Sequence, residues 1–247
     1  MSFSRTWIPN QHGAWAMLIT PVVVGALVGH PGPVHVALLT AWLAAYCLNY
    51  FIGLGVKSRR PAKYRRQVLV YGTVTMALGL PLAWFAPRLL WLLPAALPVF
   101  LANVAFIRRR NERSWANDLL GVLLAGIVGF AAYVAGFGRA AIDATAAIDA
   151  ALALTAVTAY FAGTVFYVKT MIRERGQRSW LWLSYAWHAA FIALGLVLDS
   201  WTTAVIGVWL LARCIVMPRR GGTPKFVGIL EIPATIAVGL AAWLTIA

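Results

Sequence analysis

The chain has 247 residues, 62% hydrophobic and only 11% charged, whereas a soluble domain carries about 25% charged residues. So little charge cannot cover a water-facing surface of this size, which excludes an ordinary soluble globular fold. The net charge of +14 would point to nucleic acid in a soluble chain. In an apolar one it fits basic loops facing anionic lipid headgroups, so no nucleic-acid partner is expected.

The chain opens with a single Arg and then Trp7-Ile8-Pro9-Asn10-Gln11-His12. It lacks the apolar core and small-residue cleavage site of a signal peptide, so the first span is expected to stay as an anchor. No charge falls between Arg5 and Lys57. That stretch is too long for one crossing of about 20 residues and suits two, predicted over 14–29 and 34–56 around the turn His30-Pro31-Gly32-Pro33. Further spans are predicted over 67–85, 89–107, 115–137, 148–168, 180–198, 201–217 and 226–247. These runs are apolar on every face, whereas transmembrane strands alternate. The expected fold is therefore all-α, a polytopic transmembrane helical bundle of nine helices in a single domain over 1–247. Its least marked joints are Ala86-Pro87-Arg88 and Asp199-Ser200.

Lys and Arg gather at the N-terminus and in the loops after spans two, four, six and eight; of the 21, only Arg88 and Arg139 fall on the other side. The positive-inside rule makes the basic side cytoplasmic, with the N-terminus inside. Pro21, Pro94, Pro98 and Pro233 lie within spans and are expected to kink them. The small residues Gly121, Ala125 and Gly129 recur at i, i+4 and suit close helix packing. Cys47 and Cys214 sit in apolar runs and read as core residues rather than a disulfide. Most of the twelve Trp read as an interfacial belt.

Ionisable and amide groups inside a bilayer are costly, so each is a candidate. His12 opens span one within a polar cluster. Asn49 lies about 12 Å in from Lys57 along span two. Asn117 and Asp118 open span five, where Asp118 also complements the helix dipole. Lys169 closes span six, with Arg173 beyond it. Lys57 and Lys169 also suit a purely interfacial, snorkelling role. Glu231 lies inside span nine, where it can pair with Arg213 of span eight. His188, in mid-span seven, reads as a hydrogen-bonded core histidine. All but His188 belong to the cytoplasmic half, and the expectation is a basic, cytoplasm-facing cavity. Its ligand-binding candidates are His12, Asn49, Lys57, Arg60, Asn117, Asp118, Lys169, Arg173 and Glu231. The expected ligand is anionic or isoprenoid and lipid-like, with membrane lipids as partners. No phosphate-cradling Gly-x-x-x-x-Gly-Lys loop, His-Glu-x-x-His pair or Cys/His cluster occurs, so no cofactor and no metal is expected.

Two stretches carry a resemblance. Trp7-Ile8-Pro9-Asn10-Gln11-His12-Gly13-Ala14-Trp15-Ala16-Met17-Leu18 and Arg110-Asn111-Glu112-Arg113-Ser114-Trp115-Ala116-Asn117-Asp118-Leu119-Leu120-Gly121 resemble the YwiC-like family of bacterial membrane proteins, which implies no particular chemistry. More distantly, nine spans with their basic loops after even-numbered spans are similar to the layout of UbiA-type intramembrane prenyltransferases. Those enzymes carry Asn-Asp-x-x-Asp-x-x-x-Asp at the end of helix two, holding Mg²⁺ against a prenyl diphosphate. The corresponding stretch is Asn49-Tyr50-Phe51-Ile52-Gly53-Leu54-Gly55-Val56-Lys57 followed by Ser58-Arg59-Arg60-Pro61. The Asn and the basic loop match, and the acid positions hold Tyr50, Gly53 and Lys57. A second motif, Asp-x-x-x-Asp, meets Thr170-Met171-Ile172-Arg173-Glu174, with one acid. The reading therefore leans away from an enzyme. UbiA-like prenyl transfer and small-solute transport stand as the alternatives to ligand binding.

Overall fold

The computed structural model describes residues 7–9 and 11–246, apart from the side chains of His12 and Pro224. Among the described residues the chain is helical, with nine α-helices and no strand. They are α1 (His12–Val28), α2 (Pro33–Ser58), α3 (Arg65–Phe85), α4 (Leu93–Arg108), α5 (Trp115–Gly136), α6 (Ala144–Met171), α7 (Arg178–Val197), α8 (Trp201–Arg220) and α9 (Pro224–Leu244). Eight helical stretches are long and apolar enough to cross a bilayer; α1 is the shorter one. The chain is thus an integral membrane protein of many spans.

Helix ends fall where local chemistry puts them. Ser114, Ser200 and Thr223 cap α5, α8 and α9, each accepting from a backbone N–H three residues on. The joint at 86–88 breaks the helix at Ala86, and Pro87–Leu92 forms a 3₁₀ turn before α4. The predicted span over 89–107 therefore starts as 3₁₀ helix, because Pro87 and Pro94 both withhold backbone donors. Pro94 accordingly lies at the start of α4 rather than inside it, while Pro81 and Pro218 join Pro21, Pro98 and Pro233 as helix-interior prolines. At the other short joint Asp199 takes a left-handed conformation (φ +52°), and Ser200 N–H returns to Gly195 O. Two residues thereby reverse the chain.

Packing divides the chain into two compact units, one ending at Asp143 and one beginning at Ala144. In unit 1, α1 packs on α5, α2 on α3, and α4 on α5. The α1–α5 contact is very close: a Cβ on Gly25 would lie 2.0 Å from Gly129 O. Gly129 of the predicted small-residue series makes that contact, whereas nothing approaches Gly121. Close backbone approach of this kind drives helix association where lipid removes the hydrophobic gain. In unit 2, α6 packs against α7, α8 and α9 and holds more buried residues than any other helix there. Trp84, Trp91, Trp182 and Trp201 lie near helix ends and are exposed, as an interfacial belt requires. Trp42 and Trp187 instead tie helices together, donating to Leu18 O at 3.2 Å and to Ala159 O at 2.8 Å. Cys47 and Cys214 are free and buried.

Candidate functional site

Each unit carries its own polar cluster. In unit 1 the cluster follows one face of α2, through Tyr46, Asn49, Gly53 and Lys57, spaced at helical intervals. Tyr46 donates to Gln11 Oε1 at 2.7 Å. Asn49 donates to Asn103 Oδ1 of α4 at 3.3 Å, Asn103 to Asn117 Oδ1 of α5 at 2.9 Å, and Asn117 to the Glu112 carbonyl at 2.9 Å. Each amide passes its N–H to the next, so three helices are joined without a charge in the apolar interior. The row ends at an ion pair between Lys57 Nζ and Glu112 Oε1. Lys57 holds the carboxyl of Glu112 below the usual carboxylate range, chiefly by its hydrogen bond. Glu112 Oε2 is buried with no partner.

The expected candidates are thus partly gathered. Asn49, Lys57 and Asn117 share this row; Asn103 and Glu112 belong to it and are not among the candidates named from the sequence. Asp118 sits in the first turn of α5, half-buried. Arg60 is exposed beside the row, its backbone N–H bonded to Gly55 O. The His12 side chain and Asn10 lie outside the described residues. Their neighbours show where the motif begins: Gln11 meets Tyr46, twelve residues before the end of α2 at Ser58, or about 18 Å along the helix. Trp7 O accepts from Tyr71 of α3 at 2.7 Å. Trp7 and Gln11 therefore meet α3 and α2 partway along those helices, and not at the end of α2.

A groove of about 450 Å³ lies on the outer face of the same basic end. Phe51, Ile52, Gly55, Val56, Ala62 and Val68 supply apolar walls, and Arg59, Pro61 and Arg65 complete the lining. Arg59 is the left-handed residue that ends α2 (φ +53°), and Pro61 starts the 3₁₀ turn leading to Arg65. The turn sets both basic residues in the lining of an apolar trough.

In unit 2 the cluster is ionic. Arg213 Nη1 of α8 donates to Glu231 Oε1 of α9 at 2.5 Å, with the two side chains 4% and 13% exposed. This is the pairing expected for Glu231. Each residue is seven positions from its helix's basic end, or about 10 Å. Glu231 Oε2 accepts from Tyr160 at 2.9 Å and Thr164 at 3.1 Å, both on α6, and Tyr160 also meets Thr235 at 3.0 Å. Arg213 stacks over the Tyr167 ring, 4.2 Å from its centroid. His188 is buried and its Nδ1 lies 2.7 Å from Ser184 O, a core histidine as expected. Lys169 does not simply snorkel: it is buried, with its ammonium 5.9 Å from the centroid of Trp180, whose ring at the start of α7 covers it. Arg173 is exposed beyond the end of α6. Among the described residues no three His, Cys, Asp or Glu side chains converge as metal ligands would.

A family model described as YwiC-like protein matches residues 8–133, nearly all of the helical part of unit 1. A Bacillus subtilis (strain 168) protein carrying the name Uncharacterized protein YwiC is 33% identical over 228 residues, covering 92% of this chain and 93% of that one. A Haemophilus influenzae protein carrying the name Uncharacterized protein is 28% identical over 229 residues, with the same coverage of each chain. No solved structure matches. The family model over half of the chain and a relative 33% identical across nine-tenths of both chains agree: the chain belongs to the YwiC-like family.

Proposed function

We propose that the protein binds an anionic, lipid-like molecule at the basic end of unit 1, in a bacterial cytoplasmic membrane with that end inside. The observation that carries this reading is the trough between α2 and α3, with apolar walls and Arg59 and Arg65 in its lining. Its volume falls in the range of ligand sites, roughly 300–1,000 Å³. A chain of methylenes lies against Phe51, Ile52 and Val68, and a phosphate at the headgroup accepts from the two guanidiniums, which favour planar bidentate contact. Lys57 takes no direct part, because Glu112 occupies it. UbiA-like prenyl transfer is the weaker reading. The positions that match its metal-holding acids are Tyr50, Gly53 and Lys57.

The test is thermal unfolding of the purified full chain in micelles, titrated with phosphatidylglycerol, phosphatidylcholine or farnesyl diphosphate, the last with and without Mg²⁺. Binding to the folded state raises Tm by mass action. Phosphatidylglycerol and farnesyl diphosphate are expected to raise it without metal, and phosphatidylcholine is not. Arg59→Ala combined with Arg65→Ala removes the rise. An equal rise in that variant sinks the proposal; a rise that requires Mg²⁺ supports prenyl-diphosphate chemistry instead.

A further inference from the structure

The ion pair in unit 2 is satisfied on one side only. Glu231 has both oxygens occupied, Oε1 by Arg213 and Oε2 by Tyr160 and Thr164. Arg213 carries five N–H donors in a rigid fork, yet its Nε and Nη2 are buried with no hydrogen-bond partner. The hydroxyl of Tyr167, whose ring lies under the guanidinium, is also buried without a partner. The acceptor is saturated, and the unused capacity is donor capacity, two nitrogens of it on a cation. Buried polar groups left unmade cost on the order of 1–3 kcal/mol each, and more when charged. Such a cluster persists when something else completes it.

We infer that the face of Arg213 turned away from Glu231, together with the Tyr167 hydroxyl, is a binding site for a small anion between α6 and α8. The species that fits is an acceptor with no donor requirement of its own, of the size of chloride or formate. Three features favour an anion over a neutral acceptor. The donors belong to a permanent cation. The same end of unit 2 carries Lys169, Arg173, Arg175, Arg219 and Arg220 against the single acid Glu174. The aromatic ring beneath the guanidinium excludes water from its other face, which strengthens any charge contact there. The site is separate from the lipid trough and uses no residue of it.

The experiment compares Tm of the full chain in micelles in sodium gluconate with Tm as gluconate is replaced by chloride, bromide or formate at constant ionic strength. A saturable rise of a few degrees is expected with each small anion. Arg213→Lys keeps the positive charge and its attraction to Glu231 but removes Nε and Nη2, so the rise disappears. Tyr167→Phe keeps the ring and the ion pair and moves the half-saturating concentration upward several-fold. No saturable rise in the unaltered protein means that the free donors hold water only and overturns the inference. An equal rise in both variants marks a general salt effect and overturns it as well. Should Arg213→Lys not fold, Tyr167→Phe decides alone: an unmoved half-saturation point refutes the site.

Discussion

The two units solve the same problem differently. Both place polar side chains among apolar helices, but unit 1 uses neutral amides in its interior and keeps its ion pair at the basic end, whereas unit 2 buries a full ion pair about 10 Å inside. A neutral amide that donates to its neighbour satisfies itself by geometry, and the row Asn49, Asn103, Asn117 leaves little charge to solvate. An ion pair in low dielectric is tolerable only when each ion is fully coordinated. Glu231 meets that condition and Arg213 does not. The difference teaches that the interior of unit 1 joins its helices through self-satisfying amides, while unit 2 keeps a buried cation with unused donors, on which the proposed anion site rests.

The largest expected effect breaks the ionic side of this comparison. Arg213→Met leaves the Glu231 carboxylate buried without its counter-charge and is expected to cost about 3–5 kcal/mol. Replacing both, Arg213→Met with Glu231→Met, removes the stranded charge and regains most of that loss. Reversible unfolding in mixed micelles measures both; equal losses in the single and double variants show that the two charges are not coupled.

Next in size is the helix contact that unit 1 depends on. Gly25→Ala sets a methyl against the Gly129 backbone, which cannot rotate away, and should cost about 1–3 kcal/mol. Gly121→Ala, facing open space, should stay within about 0.5 kcal/mol. Comparable losses at both positions would mean that the α1–α5 contact is not the tight one.

These residues also mark how far the sequence can be read. Helix positions were legible throughout, because an apolar run of fixed length has only one use in a bilayer: the sixth span is predicted over 148–168 and found as Ala144–Met171. The Gly129 contact was legible as a spacing, but its partner Gly25 was not, since spacing within one helix says nothing of which neighbour it meets. Asn49, Asn117 and Glu231 stand out because they are polar in apolar runs. Asn103 has the same signal, a lone amide in Leu101-Ala102-Asn103-Val104-Ala105, and could have been found by it. Tyr160, Thr164 and Tyr167 could not, because Tyr and Thr are ordinary in spans and only the fold aims them at Glu231 and Arg213. Glu112 is hidden among Arg108, Arg109, Arg110 and Arg113, where a single acid reads as noise in a basic loop.

The amide row gives a smaller effect. Asn103→Leu removes the middle link and leaves Asn49 and Asn117 each short of one partner. Inter-helix hydrogen bonds in membranes average about 0.6 kcal/mol, and the stranded amides raise the loss to about 1–2 kcal/mol. Asn49→Leu, at the start of the row, strands one amide instead of two and should cost less. A reversed order would show that the row does not conduct from Asn49 to Glu112.

The smallest effect sharpens the comparison at its edge. The Lys57–Glu112 pair is about a quarter to a third exposed, so solvent screens it and its worth is about 0.5 kcal/mol. Because Lys57 lowers the carboxyl pKa of Glu112 in the folded state, the pair stabilises the protein above the unfolded carboxyl's pKa of about 4.3. That contribution fades as pH falls through the lower folded value. Lys57→Met should therefore lower Tm slightly at pH 7 and by less as pH falls below the usual carboxylate range, and added salt should shrink the difference at pH 7. Arg213→Met behaves otherwise, since salt cannot reach a buried pair and its loss persists at high ionic strength. A salt-sensitive loss at Arg213, or a salt-insensitive one at Lys57, would reverse the assignment of which unit keeps its charges inside.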